Sequence, residues 1–577
     1  MNRRLQKLPR QVASLLIFCA IAFGLTSSPA QADAPTRKIL TGWLPYYGMK
    51  TALPDVMTNS DLMQTVNPFW YTVKDQNTIT DLYTPANPSI PMAQPLSTFR
   101  TLNLRIVPTI TDGTAKGVLA GLIAKDASRA NLVRAILNLV MSNQYDGIDL
   151  DFENFAFVDG NTTWDSTSPN WVKFISDLST ALHAQGKTLS VTTPVLFDPT
   201  TGKKGYYVYA WSQIGSLIDE LRIMAYDYSI ANPGPIGPIT WTEDALKYAV
   251  SVIPASKIYL GVPGYGRDWI TSVTGTCPVD VAATITPKAS AATFVMRNAS
   301  TLASTYSETP TYVAKYGEST FTYTKVYSGL TKAGQATSCS AQRTVWYQDP
   351  QAFLLRANFV TKYHIAGIAE WTLGMEDPSA ITALRSYGQT IAPDPVVASI
   401  SVSAPSASYG VPIAITAQFS RTDKTPIANL PARIEEKSAG GDWRTIYSGT
   451  TSTDGSIKVR TLFAKNASLR AISTGSWSLL EGDSPEAAVA ISRLISWNAP
   501  SSARAGTSYS LTGFILPRSG GVSVSLDPLH SAITYSTGRF TISTSSTAIG
   551  GQELRLTIPA DPQFAATTTD PVVILIR

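Results

Sequence analysis

Residues 145–155 read YDGIDLDFENF, and this stretch decides the fold of the region around it. Four carboxylates fall within eight of its residues, namely Asp146, Asp149, Asp151 and Glu153. Side chains alternate between the two faces of a β-strand. The last three acids are therefore predicted to share one face of a strand, and the opposite face carries Ile148, Leu150 and Phe152.

Eight short apolar runs alternate with longer amphipathic segments between about residues 38 and 390. The runs are KILTGWLPYY, MQTVNPFWYTV, LRIVPTI, DGIDLDF, TLSVTTPV, ELRIMAYDY, KIYLGVP and IAGIAEWTL. This alternation predicts a (β/α)8 TIM barrel over residues 33–392. A doubly wound open sheet is the rival, but it more usually carries a Gly-rich phosphate turn after its first strand, and GWLPYYG lacks one. In a barrel the three acids face the axis, and Glu153 lies near the carboxyl end, where barrel active sites form.

The amino terminus and the charge indicate an exported protein. Residues 1–32 combine early basic residues, the apolar run VASLLIFCAIAFGL and small residues at Ala30 and Ala32, which is typical of a secretory signal peptide cut after Ala32. We expect a secreted mature protein with no membrane contact, and association with a cell wall stays open. The net charge is +5 without a Lys/Arg cluster, so no nucleic-acid partner is expected.

One part of the barrel region has a different composition. Residues from about 268 to 344 are rich in Thr, Ser, Ala and Tyr and contain short alternating runs such as STFTYTKVYS. They predict a small β-rich subdomain inserted after the seventh strand. Cys277 and Cys339 lie near its two ends. Because two thiols of an exported protein more often pair than stay free, we expect a disulfide that ties the base of this subdomain.

The last third of the chain is rich in Ser, Thr, Ala and Gly, with short alternating segments and turn signals. The stretch ISVSAPSASYGVPIAITAQF at 400–419 is echoed by ISWNAPSSARAGTSYSLTGF at 495–514. The spacing is that of one β-sandwich domain, so two all-β immunoglobulin-like sandwiches are predicted, over residues 393–492 and 493–577.

The crowding of the acids has a chemical use. Neighbouring acids on one strand face are roughly 6.5–7 Å apart, and crowded carboxylates in a partly dry interior cannot all ionise. One proton is then retained to near-neutral pH, and a protonated carboxyl group can donate to a leaving oxygen, as glycoside cleavage requires. A hard-cation site is the alternative, but calcium loops use Gly and backbone carbonyls in a turn, not Leu and Phe between ligands.

Four segments, taken in chain order, match one family pattern. DGIDLDFE (146–153) is similar to a DxxDxDxE signature, and RIMAYDY (222–228) to a Met-x-Tyr-Asp on a sixth strand. GVPGYGRDW (261–269) and GIAEWTLGMED (367–377) are similar to the seventh and eighth strands of the same family. Together they resemble glycoside hydrolase family 18, the chitinase-like barrels, over about residues 38–390.

The resemblance implies a catalytic role for each matching acid. Glu153 would protonate the glycosidic oxygen. Asp151 would orient the substrate's own N-acetyl group, which attacks the anomeric carbon and gives an oxazolinium intermediate. Asp149 would share a proton with Asp151, and Asp146 would support that network. The anomeric configuration is then retained without a nucleophile from the enzyme. This family is a known exception to the usual mechanism with two carboxyl groups.

The resemblance also implies residues that bind the substrate. Tyr226 would donate a hydrogen bond to the acetyl carbonyl, with Asp227 beside it, Met224 would line the pocket, and Trp371 would form the floor under the reacting sugar. Four aromatic residues at or after strand ends are further candidates for the cleft: Tyr46, Trp70, Phe155 and Trp164.

The sequence thus predicts a retaining glycosidase that cuts β-linked N-acetylglucosamine polymers, either chitin or the glycan of peptidoglycan. The alternative is a chitinase-like lectin that binds without cutting, but such relatives commonly lose the glutamate that this chain keeps as Glu153. We expect a monomer that needs no cofactor and no metal.

Two segments indicate the branch of the family. The third-strand segment PTITDG (108–113) departs from the Ser-x-Gly-Gly of many members, so the support beneath the acids is expected to differ. VWYQDPQAF and HIAGIAEWTLGMED are more similar to the bacterial branch related to spore-cortex and germination hydrolases.

Overall fold

The structure, a computed structural model, describes residues 36–203, 205–287 and 291–577. The predicted signal peptide, residues 1–32, lies outside the described residues. Within the described residues, no helix is long and apolar enough to span a lipid bilayer.

Eight parallel strands close into a barrel, which confirms the predicted (β/α)8 fold. Their bounds are Leu40–Pro45 (β1), Thr65–Asp75 (β2), Thr109–Asp112 (β3), Gly147–Asp151 (β4), Thr188–Pro194 (β5), Glu220–Met224 (β6), Ile258–Pro263 (β7) and Gly367–Trp371 (β8). The rival open sheet is wrong because β1 pairs with both β8 and β2, so the barrel strands have no free edge between them.

A helix follows each barrel strand and covers the outside. The bounds are Met49–Asn59 (α1), Ala93–Thr101 (α2), Asp126–Ser142 (α3), Trp164–His183 (α4), Trp211–Ile214 (α5), Ile239–Val252 (α6), Pro350–Ala357 (α7) and Pro378–Thr390 (α8). Shorter helices occupy the connections at Tyr83–Ala86, Val118–Ile123, Asn154–Phe157, Ala299–Thr305 and Phe359–Tyr363.

The residues of β4 alternate between the two faces as predicted. Ile148, Leu150 and Phe152 are fully buried in the core under the helices, and the Phe152 ring stacks on Phe174 of α4 with the centroids 6.1 Å apart. The first residue of β4, Gly147, has to be glycine because a Cβ there would come within 2.3 Å of the Thr188 carbonyl oxygen on β5. The apolar face of β4 thus fixes the acids on the inside of the barrel.

The insertion after β7 is a five-stranded antiparallel sheet. Its strand order is Ala292–Val295, Tyr265–Gly275, Ala336–Tyr347, Glu318–Leu330 and Thr311–Val313. Two neighbouring strands, Tyr265–Gly275 and Ala336–Tyr347, connect the insertion to the barrel. Their barrel ends therefore lie near residues 265 and 347. A small core of its own packs around Phe321, Tyr323 and Val345.

The predicted disulfide between Cys277 and Cys339 is present. Its predicted position at the base of the insertion is wrong. Cys339 pairs with Gly275 across the strands Tyr265–Gly275 and Ala336–Tyr347, at the end of this strand pair that is farther from the barrel. Both strands run on for about ten residues beyond the barrel before the cysteines occur, and the sequence does not reveal how far such a hairpin extends.

Two all-β regions follow the barrel, each around its own core. The first has a sheet of Val397–Val402, Ile413–Ser420 and Ser456–Thr461 opposite a sheet of Ser406–Ser408, Ala487–Ser492, Ala467–Ser473, Pro431–Ser438 and Trp443–Thr450, with Gly482–Asp483 at the side. The second has three small sheets. They are Leu494–Asn498, Ser508–Leu516 and Arg539–Ser545; Ser502–Ala503, Val572–Ile576 and Gly550–Leu554; and Ser531–Ile533, Ser523–Ser525, Thr557–Ile558 and Thr567–Thr568. In both regions a short early strand pairs in parallel with the last strand.

Trp477 joins the first all-β region to the barrel. Its ring lies between the guanidinium of Arg37, 3.8 Å from the ring centroid, and the imidazole of His364, which stacks at 4.5 Å and 18°. Arg37 also donates to the Ile391 carbonyl oxygen at 2.8 Å. Arg37 precedes β1 and His364 precedes β8, so this contact lies at the amino-terminal end of the barrel strands.

Replacing both Cys277 and Cys339 by serine is expected to loosen the insertion and leave the barrel unchanged. The bond closes a loop of 62 residues, and the lost chain-entropy restraint amounts to about 4 kcal/mol. Hydrogen exchange should rise in residues 265–347 and stay unchanged in β1–β6. The reduced parent chain is the matched control and should behave in the same way; unchanged exchange in the insertion would contradict the expectation.

Candidate active site

A cavity of about 310 Å³ opens at the carboxyl ends of the barrel strands. Its lining combines acids, a hydroxyl group, a thioether and aromatic rings, from Trp43, Tyr47, Phe69, Asp151, Glu153, Thr192, Met224, Tyr226, Asp227, Tyr265 and Trp371. Small-molecule sites are commonly apolar clefts with a few convergent polar groups, and this cavity has that composition.

Asp149 lies below this cavity, fully buried inside the barrel. Its carboxylate accepts hydrogen bonds from Thr109 on β3 at 2.8 Å, from Ser190 on β5 at 2.7 Å and from Thr192 on β5 at 3.0 Å. The Trp43 indole donates at 3.3 Å, and the Arg222 guanidinium lies 3.5 Å away. These donors stabilise a negative charge on Asp149.

Asp151 is one step higher in the same row and borders the cavity. It is 5% exposed, and among the described residues its Oδ1 has no hydrogen-bond partner. Burial, followed by the charges of Glu153 and Asp149, raises the pKa of Asp151 well above its usual range. The neutral form of Asp151 is therefore favoured, and its Oδ1 is open to a ligand.

Glu153 follows β4 at the cavity wall. The strand ends at Asp151, and Glu153 takes a helical conformation at the start of the short helix Asn154–Phe157, so it is not part of the strand as the sequence suggested. Its side chain still faces the cavity. Burial, and then the negative charge of Asp227, raise the pKa of Glu153 to about 7. A carboxyl group with this pKa can give and take a proton near neutral pH.

Tyr226 and Asp227 reach the cavity from the segment after β6. Burial raises the pKa of the Tyr226 hydroxyl well above its usual value, so it stays protonated and can donate. Asp227 accepts hydrogen bonds from the Tyr265 hydroxyl and from Arg267, whose Nη2 lies 2.6 Å from Asp227 Oδ1. Tyr265 and Arg267 both belong to the first strand of the insertion, which therefore contributes to the site.

Aromatic rings form the remaining walls. Trp371 at the end of β8 packs edge-on against Phe69 at 4.9 Å between centroids and beside Trp43 at 5.8 Å. Tyr47 is 62% exposed at the rim. Met224 lines the cavity at the end of β6. Sugar rings present flat apolar faces, which such a set of aromatic walls can cover.

The prediction that Trp70 lines the cleft is wrong. Its ring is fully buried and packs on Tyr83 with the centroids 4.3 Å apart, because the preceding residue, Phe69, faces the interior. Tyr46 likewise packs against the core and contacts Tyr47, and it is Tyr47 that reaches the cavity. In both cases the neighbouring aromatic residue lines the site, because a position at or after a strand end does not reveal which way a side chain points.

Phe155 and Trp164 do not reach the cavity either. Phe155 is fully buried against Trp171 and Tyr209, with ring centroids 5.3 Å and 5.2 Å away. The Trp164 indole donates to the Phe155 carbonyl oxygen at 3.0 Å. The pair connects the short helix after β4 to the outer helices.

Asp146 does not belong to the site. It precedes β4 at the opposite end of the barrel, where its carboxylate accepts the backbone N–H of Ile106 at 2.8 Å. Its backbone also bonds to Ile106 and Thr188. Asp146 therefore orders the strand entry, and the prediction that it binds substrate or supports the acid pair is wrong.

The sequence missed several residues of the site: Trp43, Tyr47, Phe69, Thr192, Tyr265, Arg222 and Arg267. For Phe69 a signal was available, since it shares a strand face with Asn67, a polar residue of the barrel interior. Arg267 stands in the GVPGYGRDW segment, but no local pattern pairs it with Asp227, forty residues earlier. Thr109 supplies the support beneath the acids that PTITDG left open.

Metal ligation was the alternative for the acids. Among the described residues no group of three or more His, Cys, Asp or Glu side chains has an arrangement that could hold a metal ion. Asp149 uses its oxygens on hydroxyl and N–H donors instead.

Known proteins resemble this chain over the barrel. The sporulation-specific glycosylase YdhD of Bacillus subtilis is 28% identical over 49% of this chain and 61% of its own length. The cortical fragment-lytic enzyme of the same organism is 23% identical over 42% of this chain and 51% of its own length. Among solved structures, a chitinase from Chromobacterium violaceum aligns with a TM-score of 0.48 and 24% identity, over 61% of this chain and 98% of that one.

The match thus spans about half to three fifths of the length of these two curated relatives. The family model described as glycosyl hydrolases family 18 matches residues 56–376, more than half of the chain. The matched range includes the acid row of β4, the segment after β6, the insertion and β8. The chain therefore belongs to glycosyl hydrolase family 18.

Proposed function

We propose that this chain is a secreted, retaining glycoside hydrolase that cleaves β-linked N-acetylglucosamine polymers, with Glu153 as the general acid and base. The observation that carries the proposal is the pair of buried carboxyl groups that line one cavity. Burial raises the pKa of Asp151 well above its usual range and that of Glu153 to about 7. Family membership supports the same reaction class.

In the first step Glu153 donates its proton to the glycosidic oxygen as the bond to the anomeric carbon breaks. The substrate's acetamido oxygen attacks that carbon and forms the oxazolinium ring. Glu153, now ionised, then takes a proton from the water that opens this ring, and the configuration is retained. The same carboxyl group thus acts first as acid and then as base.

The groups around Glu153 hold the acetamido group for this attack. The free Oδ1 of Asp151 accepts the acetamido N–H, and the charge of Asp149 beneath it favours the cationic ring. The Tyr226 hydroxyl donates to the acetamido oxygen, while Trp371 lies under the sugar. Each group acts on charge that develops during the reaction, which is how such sites accelerate it.

Two features support the substrate class and the compartment. The names of the relatives include both cortex-lytic enzymes and chitinases, whose substrates share N-acetylglucosamine. The sequence begins with a predicted secretory signal, and the chain carries a disulfide, which persists in oxidising compartments. Incubation with chitin oligomers and with purified peptidoglycan, followed by mass analysis of the products, distinguishes the two polymers.

Glu153→Gln is expected to lower kcat at least about 10³-fold, because the amide cannot donate or accept the proton. Binding of chitin oligomers should remain measurable by calorimetry, since the cavity keeps its shape. Glu243→Gln on the outer helix α6 is the matched control and should keep the parent rate. A Glu153→Gln variant that cleaves at the parent rate would refute the assignment, and a parent chain that binds without cleaving would favour a lectin.

A thiazoline analogue of the oxazolinium ring is expected to bind at least about 10²-fold more tightly than N-acetylglucosamine, because it resembles the charged intermediate. Competition assays with a fluorogenic chitobioside measure this. Equal affinity for the two compounds would argue for a reaction without the substrate's acetamido group.

The pH dependence should follow the proton on Glu153. The protonated form is required for the first step, so kcat should fall as the pH rises through about 7. Asp227→Asn removes a negative charge that raises the pKa of Glu153, and the alkaline limb should therefore shift to lower pH. The Glu243→Gln profile should coincide with that of the parent, and an upward shift in Asp227→Asn would contradict the electrostatic assignment.

A further inference from the structure

The segment at 225–238, between β6 and α6, carries Tyr226 and Asp227, and its backbone is left-handed at Asp227. Asp227 has a φ of +60°, a region that residues other than glycine rarely occupy. Such strain persists only where the surrounding structure holds the chain firmly. Something outside the segment must therefore keep these two side chains at the cavity.

Glu318 of the insertion holds the far end of this segment. Its side chain is fully buried, and its two oxygens accept the backbone N–H groups of Ile236 at 2.6 Å and Gly237 at 2.7 Å. Glu318 stands at the barrel end of its strand, eighty-one residues after Gly237 in the chain. The contact is therefore made between the insertion and a barrel loop.

Two further donors fix the Glu318 carboxylate in place. Arg356 of α7, also fully buried, donates to its Oε1 at 3.1 Å, and Gln348 donates to the same oxygen at 3.1 Å. Arg356 also donates to the carbonyl oxygens of Gly317 and Gly237. A charge-assisted network with this many partners has little freedom to move.

The grip on Ile236 and Gly237 is transmitted to Tyr226 by direct contact. A Cβ at Gly237 would come within 2.4 Å of the carbonyl oxygen of Ala225, so the two backbones touch immediately before Tyr226. The Ile236 carbonyl oxygen accepts the N–H of Tyr228 at 2.8 Å. The residues that Glu318 binds therefore contact the chain on both sides of Tyr226 and Asp227.

We propose that Glu318 is a positioning residue for the hydrolysis, and that it acts by clamping the segment that carries Tyr226 and Asp227. This inference rests on the proposed function. Glu318 is too deep to touch a sugar, and its effect on the reaction passes through the two backbone N–H groups. A catalytic group displaced by about 1 Å can cost about 10²-fold in rate.

The amide variant Glu318→Gln tests the clamp, because it keeps the volume but offers one acceptor oxygen to donors that need two. We expect kcat to fall about 10²-fold with KM changed less than about threefold, since Tyr226 acts on the acetamido group as charge develops. Hydrogen exchange should rise at 225–238 and stay unchanged in β1–β5. A general loss of folding would raise exchange throughout instead.

Asp268→Asn is the matched control, because Asp268 is another buried acid of the insertion. It pairs with Arg343 at 2.9 Å and accepts a hydrogen bond from the Tyr323 hydroxyl at 2.7 Å. Among the residues that the structure describes, the Asp268 side chain bonds to Arg343 and Tyr323 and not to the 225–238 segment. Its amide variant should lose stability locally but keep the parent kcat and the parent exchange at 225–238.

Gly237→Ala tests the same clamp from the other side and keeps Glu318 intact. The added Cβ pushes Gly237 away from Ala225, so the loss of kcat and the raised exchange at 225–238 should be reproduced. This variant decides the matter if Glu318→Gln does not fold.

The clamp is overturned if either folded variant keeps the parent kcat, or if Asp268→Asn loses as much. A parent chain that cleaves neither chitin oligomers nor peptidoglycan refutes the proposed function, and the positioning role fails with it. A parent that cleaves, with a folded Glu318→Gln that cleaves equally well, refutes the clamp alone.

Discussion

One buried carboxylate, Asp149, connects five of the eight barrel strands. It stands on β4 and accepts bonds from Trp43 on β1, Thr109 on β3 and Thr192 on β5, with Arg222 of β6 3.5 Å away. At this level the barrel interior therefore holds a network of hydrogen-bonded polar side chains, although most of the core is apolar. Asp151, the next acid above it, acquires its raised pKa from burial and from the charges of Glu153 and Asp149. Glu153 responds instead to burial and to Asp227.

The parts of the fold that depend on periodicity could be predicted from the sequence. Ile148 and Leu150 alternate with Asp149 and Asp151, and only a strand with one face under helices satisfies both sets. The same periodicity located the other seven strands, because each is a short apolar run between amphipathic helices. The acids of β4 could be assigned to the barrel interior for this reason.

Contacts between distant segments could not be predicted in this way. Whether Phe69 or Trp70 faces the cavity depends on the strand register and on an irregularity in β2, which aromatic composition does not reveal. The pairing of Asp227 with Arg267 and the grip of Glu318 on Ile236 depend on how the insertion folds back on the barrel. An insertion that looks like an appendage in the sequence is thus part of the cavity wall.

The stacked contact of Trp477 with Arg37 and His364 has a mechanical consequence. It attaches the first all-β region at the foot of the barrel, while the cavity opens at the opposite rim. A force transmitted through Trp477 therefore acts on the strand entries, at the end of the barrel away from the cavity. Load carried by the first all-β region would thus bypass the side chains that line the cavity.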